Sequence, residues 1–154
     1  MKTRAVRVLL VVVFGVVVWC VCVGAAVGAP GDLTQKADPN GCIVNDASTD
    51  ITGCTNTGLA LDYATSVTVS PDGASVYVAS YLSDAVAVFD RASDGTLTQK
   101  AGTAGCIVNE PSTDITGCTN TGKALNGARS VTVSPDGTSV YVASSYSDAV
   151  AVFD

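Results

Sequence analysis

The sequence predicts an all-β protein built from repeated antiparallel sheets, and three observations lead to this prediction. The segment 66–90 returns almost unchanged at 130–154. Within both segments, valine alternates with serine, threonine and tyrosine at the two-residue period of a β-strand. The composition is 47% hydrophobic but only 6% aromatic and 14% charged. Its apolar part is therefore mostly valine and alanine, as is typical of sheets.

The repeated segment divides into three short strands, predicted at 66–70, 75–80 and 85–90. Between the first two stand Ser70, Pro71, Asp72 and Gly73, in which proline presets φ and glycine accepts a left-handed conformation. These residues predict a tight antiparallel hairpin. A second short reversal at 81–84 leads into the third strand. That strand is apolar on both faces, so we expect both of its faces to be covered.

A fourth strand is predicted from Leu-Thr-Gln-Lys-Ala, which occurs at 33–37 and again at 97–101. Two four-stranded antiparallel repeats of 64 residues predict β-propeller blades. Of the 58 positions that pair between the copies, 12 differ, and all lie in connections or at strand starts. Two blades cannot close a ring. We expect a fragment of a larger propeller, in preference to an assembly in which each copy lends its first strand to the next.

The motif Ser-Pro-Asp-Gly followed by Val-Tyr-Val-Ala-Ser, at 70–80 and 134–144, resembles the YVTN-type β-propeller repeat. The wider resemblance is to the lactonase-like seven-bladed β-propeller superfamily. Two features depart from the family: Ala-Ser replaces Thr-Asn, and a long insertion precedes each first strand. The resemblance implies a lactonase-like hydrolase as the alternative to a binding or structural function.

The N-terminal segment has the features of a secretory leader. Lys2, Arg4 and Arg7 precede an uncharged apolar stretch at 8–23, and small residues follow at 24–29. The alternative is an uncleaved membrane anchor, because the apolar and small residues from 8 to 29 number 22, close to the roughly 20 that span a bilayer. We expect a signal peptide or anchor at 1–29, one repeat at 30–90 and the other at 91–154. The protein is then secreted or displayed at the cell surface.

Each insertion contains two cysteines 12 positions apart, Cys42 with Cys54 and Cys106 with Cys118. An exported chain meets an oxidising compartment, so disulfide bonds are expected. Four cysteines allow three pairings. The pairing within each loop is favoured, because each copy then carries its own bond. A zinc site is disfavoured, since each loop offers only two thiolates and the chain has no histidine.

No catalytic, cofactor-binding or metal-ligating residue is predicted. The absence of histidine removes Ser-His-Asp and Cys-His nucleophiles. Carboxylates in the insertions could offer oxygen ligands to calcium, but the spacing is not that of an EF-hand, and solvated side chains are the simpler interpretation. These carboxylates are Asp46, Asp50, Glu110 and Asp114. The other loop aspartates are interpreted as turn formers or strand caps, namely Asp72, Asp84, Asp136 and Asp148.

A binding function is favoured over catalysis. The net charge of −6 and the scattered basic residues argue against nucleic acid as a partner. Two near-identical blades supply the same groups twice, which suits avid binding of a repetitive partner better than catalysis. Tyr63, Tyr81 and Tyr146 are candidate contact residues for a protein or glycan. The sequence therefore predicts an exported binding or structural scaffold.

Overall fold

The computed structural model describes residues 12–13, 16–17, 31–46, 48, 51–111 and 115–154. The chain forms two units, Met1–Thr34 and Gln35–Asp154. In the first unit, β1 (Val12–Val13) pairs with β2 (Val16–Val17) in antiparallel orientation. The rest of the predicted leader at 1–29 lies outside the described residues. Among those described, no helix is both long enough and apolar enough to cross a membrane.

The second unit is built from short strands, which confirms the all-β prediction. The first repeat contains β3 (Val44–Asn45), β4 (Thr57–Gly58), β5 (Ala64–Val69), β6 (Ser75–Ser80) and β7 (Ala85–Arg91). The second contains β8 (Leu97–Gln99), β9 (Cys106–Asn109), β10 (Asn120–Gly122), β11 (Ala128–Val133), β12 (Val140–Ser144) and β13 (Ala149–Phe153). A single 3₁₀ turn, Gly102–Ala104, lies between β8 and β9.

The first blade is the antiparallel meander β5-β6-β7, whose strands match the predicted ones within two residues. Both β8 and β9 then pair with β7. β8 pairs with the end of β7 at Phe89–Arg91, and β9 with its start at Ala85–Ala87. The fourth strand of the first blade is therefore split in two around the 3₁₀ turn, and both halves come from the second repeat.

The second blade, β11-β12-β13, has three strands in the described part of the chain, not the predicted four. The strand predicted at 33–37 is also not formed, and the side chain of Leu33 is 99% exposed. Both differences have one physical reason. In this fold a fourth strand pairs with the third strand of the blade before it, as β8 does with β7. No described strand lies beside 33–37 in that way.

The insertions contain short strands that the sequence did not indicate. β3 pairs with β4, and β9 pairs with β10, both in parallel orientation. Each pair is supported by an asparagine. The side-chain oxygen of Asn45 accepts a hydrogen bond from the Leu61 amide, and that of Asn109 accepts one from the Leu125 amide. These bonds tie each insertion to the segment that enters the next blade.

The core consists of two clusters on opposite faces of β7. On one face, Ala87 and Phe89 pack with Cys106 and Val108 of the second insertion. On the other face, Val86 packs between the blades in a cluster that includes Ala79, Leu125, Val131, Val142 and Ala151. The prediction that both faces of this strand are covered is confirmed. Burial of each large aliphatic or aromatic side chain contributes about 1.5–3 kcal/mol.

The two Ser-Pro-Asp-Gly hairpins have the predicted turn geometry. In the second hairpin, the Ser134 hydroxyl donates to the Asp136 carboxylate at 2.5 Å. The Thr138 amide and hydroxyl also donate to that carboxylate, at 3.1 and 2.9 Å. Gly137 has a φ of 75°, a left-handed conformation that glycine adopts without strain. The equivalent contacts of Asp72 confirm that both aspartates are turn formers.

We predict that Asp136 titrates well below an ordinary aspartate. The hydrogen bond from Ser134, followed by those from Thr138, lowers the pKa of Asp136 to about 2. Because this pKa is depressed on folding, the turn's contribution to stability is present above the ordinary value of 3.8. It is lost as the pH falls toward about 2. Carboxyl-carbon NMR titration measures the midpoint.

Ser134→Ala should raise that midpoint toward the ordinary value. Ser70→Ala is the matched control, because it should raise the pKa of Asp72, which the Ser70 hydroxyl lowers in the same way, and leave Asp136 unchanged. An unchanged Asp136 midpoint in Ser134→Ala would show that the serine is not the cause.

Candidate functional site

Several of the positions at which the two copies differ are brought together on one surface of the second unit. Five of the 12 differences lie at 62, 63, 65, 81 and 82, where the chain enters β5 and leaves β6. Their counterparts, 64 positions later, lie where the chain enters β11 and leaves β12. Between the blades these segments form a contact group that we call the tyrosine patch: Tyr63, Tyr81, Arg129 and Tyr146.

Aromatic and cation–π contacts connect the patch. The ring centroids of Tyr63 and Tyr81 are 5.7 Å apart with planes at 53°, and those of Tyr81 and Tyr146 are 5.3 Å apart at 42°. The Arg129 guanidinium carbon lies 4.7 Å from the Tyr81 ring centroid. Such geometries are attractive for ring pairs and for a cation over a ring face. Tyr81 is the half-buried centre, while Tyr63 is 65% exposed and Tyr146 67% exposed.

Backbone contacts fix the segments that carry the patch. The Tyr81 amide donates to the Tyr63 carbonyl at 3.0 Å. In the second blade, the Arg129 Nε donates to the Ser145 hydroxyl at 3.2 Å. The Asp84 carboxylate of the first blade accepts a hydrogen bond from the Gly127 amide at 2.6 Å. Asp84 therefore acts as a cap on the neighbouring blade, and it places a negative charge beside the patch.

Glycine at position 127 leaves room for the Tyr146 ring. A β-carbon built on Gly127 would lie 2.9 Å from Tyr146 Cδ2 and 2.9 Å from the Ser145 hydroxyl, and its φ is +68°. The counterpart of Gly127 in the first repeat is Tyr63. The same position therefore supplies a ring in one blade and space for a ring in the other.

The surroundings of the patch raise the pKa of the Tyr146 phenol. The hydrogen bond with Tyr81 raises the pKa of Tyr146, as do the charge of Tyr81 and then partial desolvation. The Arg129 guanidinium lowers that pKa and the Asp84 carboxylate raises it, both as smaller effects. The patch therefore combines three phenol hydroxyls with the Arg129 guanidinium, and the Asp84 carboxylate lies beside it.

The three tyrosines were predicted separately as contact residues, and the structure brings them into one group. Arg129 and Gly127 were not predicted. Both lie at positions where the two copies differ, and this difference in sequence could have identified them. The expectation that two similar blades supply the same groups twice does not hold at this surface. Here the first blade supplies two tyrosine rings. The second blade supplies one tyrosine ring, the guanidinium and the glycine that leaves room for that ring.

The four loop cysteines are paired within their own insertions in the structure. Cys42 is bonded to Cys54 and Cys106 to Cys118, with Cα atoms 5.7 and 5.6 Å apart. The two bonds differ in environment. Cys106 and Cys118 are buried in the core cluster, whereas Cys42 and Cys54 are half-buried.

The candidate calcium ligands do not form a cluster in the described part of the chain. Asp46 and Glu110 are exposed, while Asp50 and Asp114 lie outside the described residues. The side-chain oxygen of the neighbouring Asn45 already accepts a hydrogen bond from Leu61. Within the described ranges, no group of three or more cysteine, aspartate or glutamate side chains could hold a metal ion.

Two buried serines bear on the hydrolase alternative. The hydroxyls of Ser80 and Ser144 are buried and have no hydrogen-bond partner among the described residues. A serine nucleophile needs an adjacent base and access to substrate. Burial denies the access, and no described side chain bonds either hydroxyl as a base would. Among the described residues, neither serine therefore has the surroundings that activate a nucleophile.

The chain shows only limited similarity to known proteins. No protein-family model matches the chain, and no curated protein matches it. A functionally unknown protein from Desulfotomaculum acetoxidans DSM 771 aligns with a TM-score of 0.40 and 16% identity, covering 63% of this chain and 28% of that one. A protein from Lactobacillus plantarum aligns with a TM-score of 0.37 and 23% identity, covering 57% and 26% respectively. The chain thus spans less than a third of the length of either.

We predict unequal losses of stability when the two disulfides are removed. Each bond closes a loop of the same length, so each should contribute roughly 3 kcal/mol through loop-closure entropy. Replacing Cys106 and Cys118 with alanine should cost about 1 kcal/mol more than the same change at Cys42 and Cys54, because the first pair also packs in the core. Urea unfolding of both double variants measures the difference.

Peptide mapping without reductant is the accompanying control, since it identifies the partners directly. Equal losses of unfolding free energy would contradict the packing argument. A peptide joining Cys42 to Cys106 would contradict the pairing within each loop.

Proposed function

We propose that the chain is an exported YVTN-type β-propeller repeat module that binds a protein partner outside the cell through the tyrosine patch. One observation carries this proposal. Three tyrosines and an arginine lie in contact on a surface that contains five of the 12 positions at which the repeats differ. Divergence at a surface suits a binding site on a duplicated fold, because the strands beneath it need not change.

The residue types of the patch support recognition of a protein. Tyrosine and arginine are enriched at protein–protein interfaces and among the residues that contribute most to binding energy. The rings of Tyr63 and Tyr146 are about two-thirds exposed, so a partner can bury most of their area. Their contacts with Tyr81 already restrict them. Binding therefore loses less side-chain entropy than it would with isolated tyrosines.

The shape of the patch also favours a protein over a glycan. The rings meet at 53° and 42°, which makes a stepped surface instead of one flat platform. Arg129 and Asp84 place opposite charges within this surface. A stepped apolar surface with fixed charges matches side chains of differing shape and charge. A glycan is the second candidate partner and is distinguished in the experiment below.

Export is supported by two features. The sequence begins with basic residues, an apolar stretch and small residues, as secretory leaders do. The two disulfides of the second unit are compatible with an extracellular location, since disulfides persist in oxidising compartments.

We predict that removing the two exposed rings abolishes most binding of the chain to the surface of the cells that produce it. In Tyr63→Ala/Tyr146→Ala, the apparent affinity of the labelled chain for intact cells should fall at least about 10-fold, because truncating each residue that dominates an interface typically costs more than 1 kcal/mol. Flow cytometry over a concentration series measures the affinity. Protease treatment of the cells should remove the binding sites, whereas periodate oxidation of glycans should not.

Leu82→Ala is the matched control, because Leu82 is the counterpart of Tyr146 in the first blade and its side chain is 59% exposed. Its binding should stay within about twofold of the unaltered chain, since surface changes outside a binding site are nearly neutral. Full binding by the double variant would disprove a role for the patch. Loss of binding after periodate but not protease would identify a glycan partner.

A further inference from the structure

The two blades leave complementary faces exposed. On the first blade, the face turned away from the second carries Val67, 65% exposed, and Val69, 48% exposed; we call it the leading face. On the second blade, the face turned away from the first carries Tyr141, Val150 and Val152, at 38%, 61% and 59% exposure; we call it the trailing face.

Counterparts of these exposed residues are buried where the two blades meet. Val131, the counterpart of Val67, is 5% exposed, and Val86, the counterpart of Val150, is 2% exposed. Both belong to the core cluster between the blades. The first blade therefore packs on the second through a trailing-type face against a leading-type face. One unused face of each kind remains.

The outer edges of β7 and β13 differ in the same way, since one is covered and the other is not. β7 is paired along its outer edge by β8 and β9, and its Val88 amide donates to Gly105 while its Val88 carbonyl accepts from Lys100. β13 is the counterpart of β7, and β12 is its only strand partner among the described residues. The segments that cover β7 have identical counterparts in the first repeat, namely Leu-Thr-Gln-Lys-Ala at 33–37 and Gly-Cys-Ile-Val-Asn at 41–45.

We propose that copies of this chain associate head to tail, with the leading face and the 33–45 segment of one copy covering the trailing face and β13 edge of another. In the register of the internal interface, Gln35 of one copy pairs with Phe153 of the other, and Ile43 with Val150. These pairs reproduce Gln99 with Phe89, and Ile107 with Val86.

The sequence alone favours a further blade of a longer chain at this edge, but a second copy fits it equally, because this chain already contains the covering sequence at 33–45. An unpaired strand edge accepts an added strand readily. Exposed valines on both faces give the contact its apolar driving force. Asp148 offers a further contact of the same kind. Its counterpart Asp84 accepts a hydrogen bond from the Gly127 amide. Tyr63 is the counterpart of Gly127, so the Tyr63 amide of the next copy would donate to Asp148. A head-to-tail contact of this kind produces rings or filaments.

Paired face variants test the proposal by light scattering coupled to gel filtration. The unaltered full chain should show multiples of the single-chain mass that increase with concentration. Val67→Asp/Val69→Asp blocks the leading face, and Val150→Asp/Val152→Asp blocks the trailing face. Burial of unpaired carboxylates should weaken self-association at least about 100-fold, so each variant alone should show the single-chain mass. A 1:1 mixture should restore a two-chain species and stop there, since only one interface remains intact.

Three results would overturn the proposal. The unaltered chain could keep the single-chain mass at every concentration, as expected if this edge is completed only by a further repeat in a longer chain. The leading-face variant could still self-associate, which would indicate a symmetric contact between trailing faces. The mixture could fail to form the two-chain species.

Hydrogen exchange on the unaltered chain tests the same contact without substitution. The Val152 amide and the amides of 33–45 should gain protection as concentration increases. Unchanged protection would also overturn the proposal. Circular dichroism shows whether the aspartate variants keep the native fold, and the exchange result decides the matter if they do not.

Discussion

Burial of β7 on both faces and along its outer edge is the constraint on which the rest of the unit depends. One face packs on the second insertion through Phe89 and Ala87, and the other packs on the second blade through Val86. Its edge receives β8 and β9. Both disulfide-bonded insertions and both blades are positioned relative to this strand. Because both of its faces are buried, the strand is apolar at successive residues and lacks the usual alternation of apolar and polar side chains.

Duplication and divergence are divided between the interior and the surface. The interiors of β6 and β7 recur without change in β12 and β13, because a substitution there would disturb two packed faces at once. Changes have accumulated where the chain enters and leaves strands. At those points a tyrosine can replace glycine, or an arginine replace threonine, without loss of a core contact. Two similar blades thereby present one asymmetric group of side chains.

The parts of the fold that could be predicted from sequence are those determined locally. The hairpins follow from proline and glycine at fixed turn positions, and the strands follow from alternation over five or six residues. The pairing of β9 with β7 could not be read from the insertion, because it depends on an edge about 20 residues earlier in the chain. For the same reason, 97–99 forms a strand while the identical 33–35 does not. The tyrosines were identifiable individually, but the contact of Tyr81 with Tyr146 joins residues of different blades.

Gln99 shows how far the sequence repeat differs from the structural unit. Its side chain bonds both the amide and the carbonyl of Leu59 and also the carbonyl of Gly105, so it joins the first insertion to the start of the second repeat. A cut between the repeats would remove Gln99 together with β8 and β9 from the first blade. The first repeat therefore does not contain all the hydrogen bonds of its own blade. The two should lose their structure in a single cooperative transition, because unfolding the second repeat uncovers the central strand of the first.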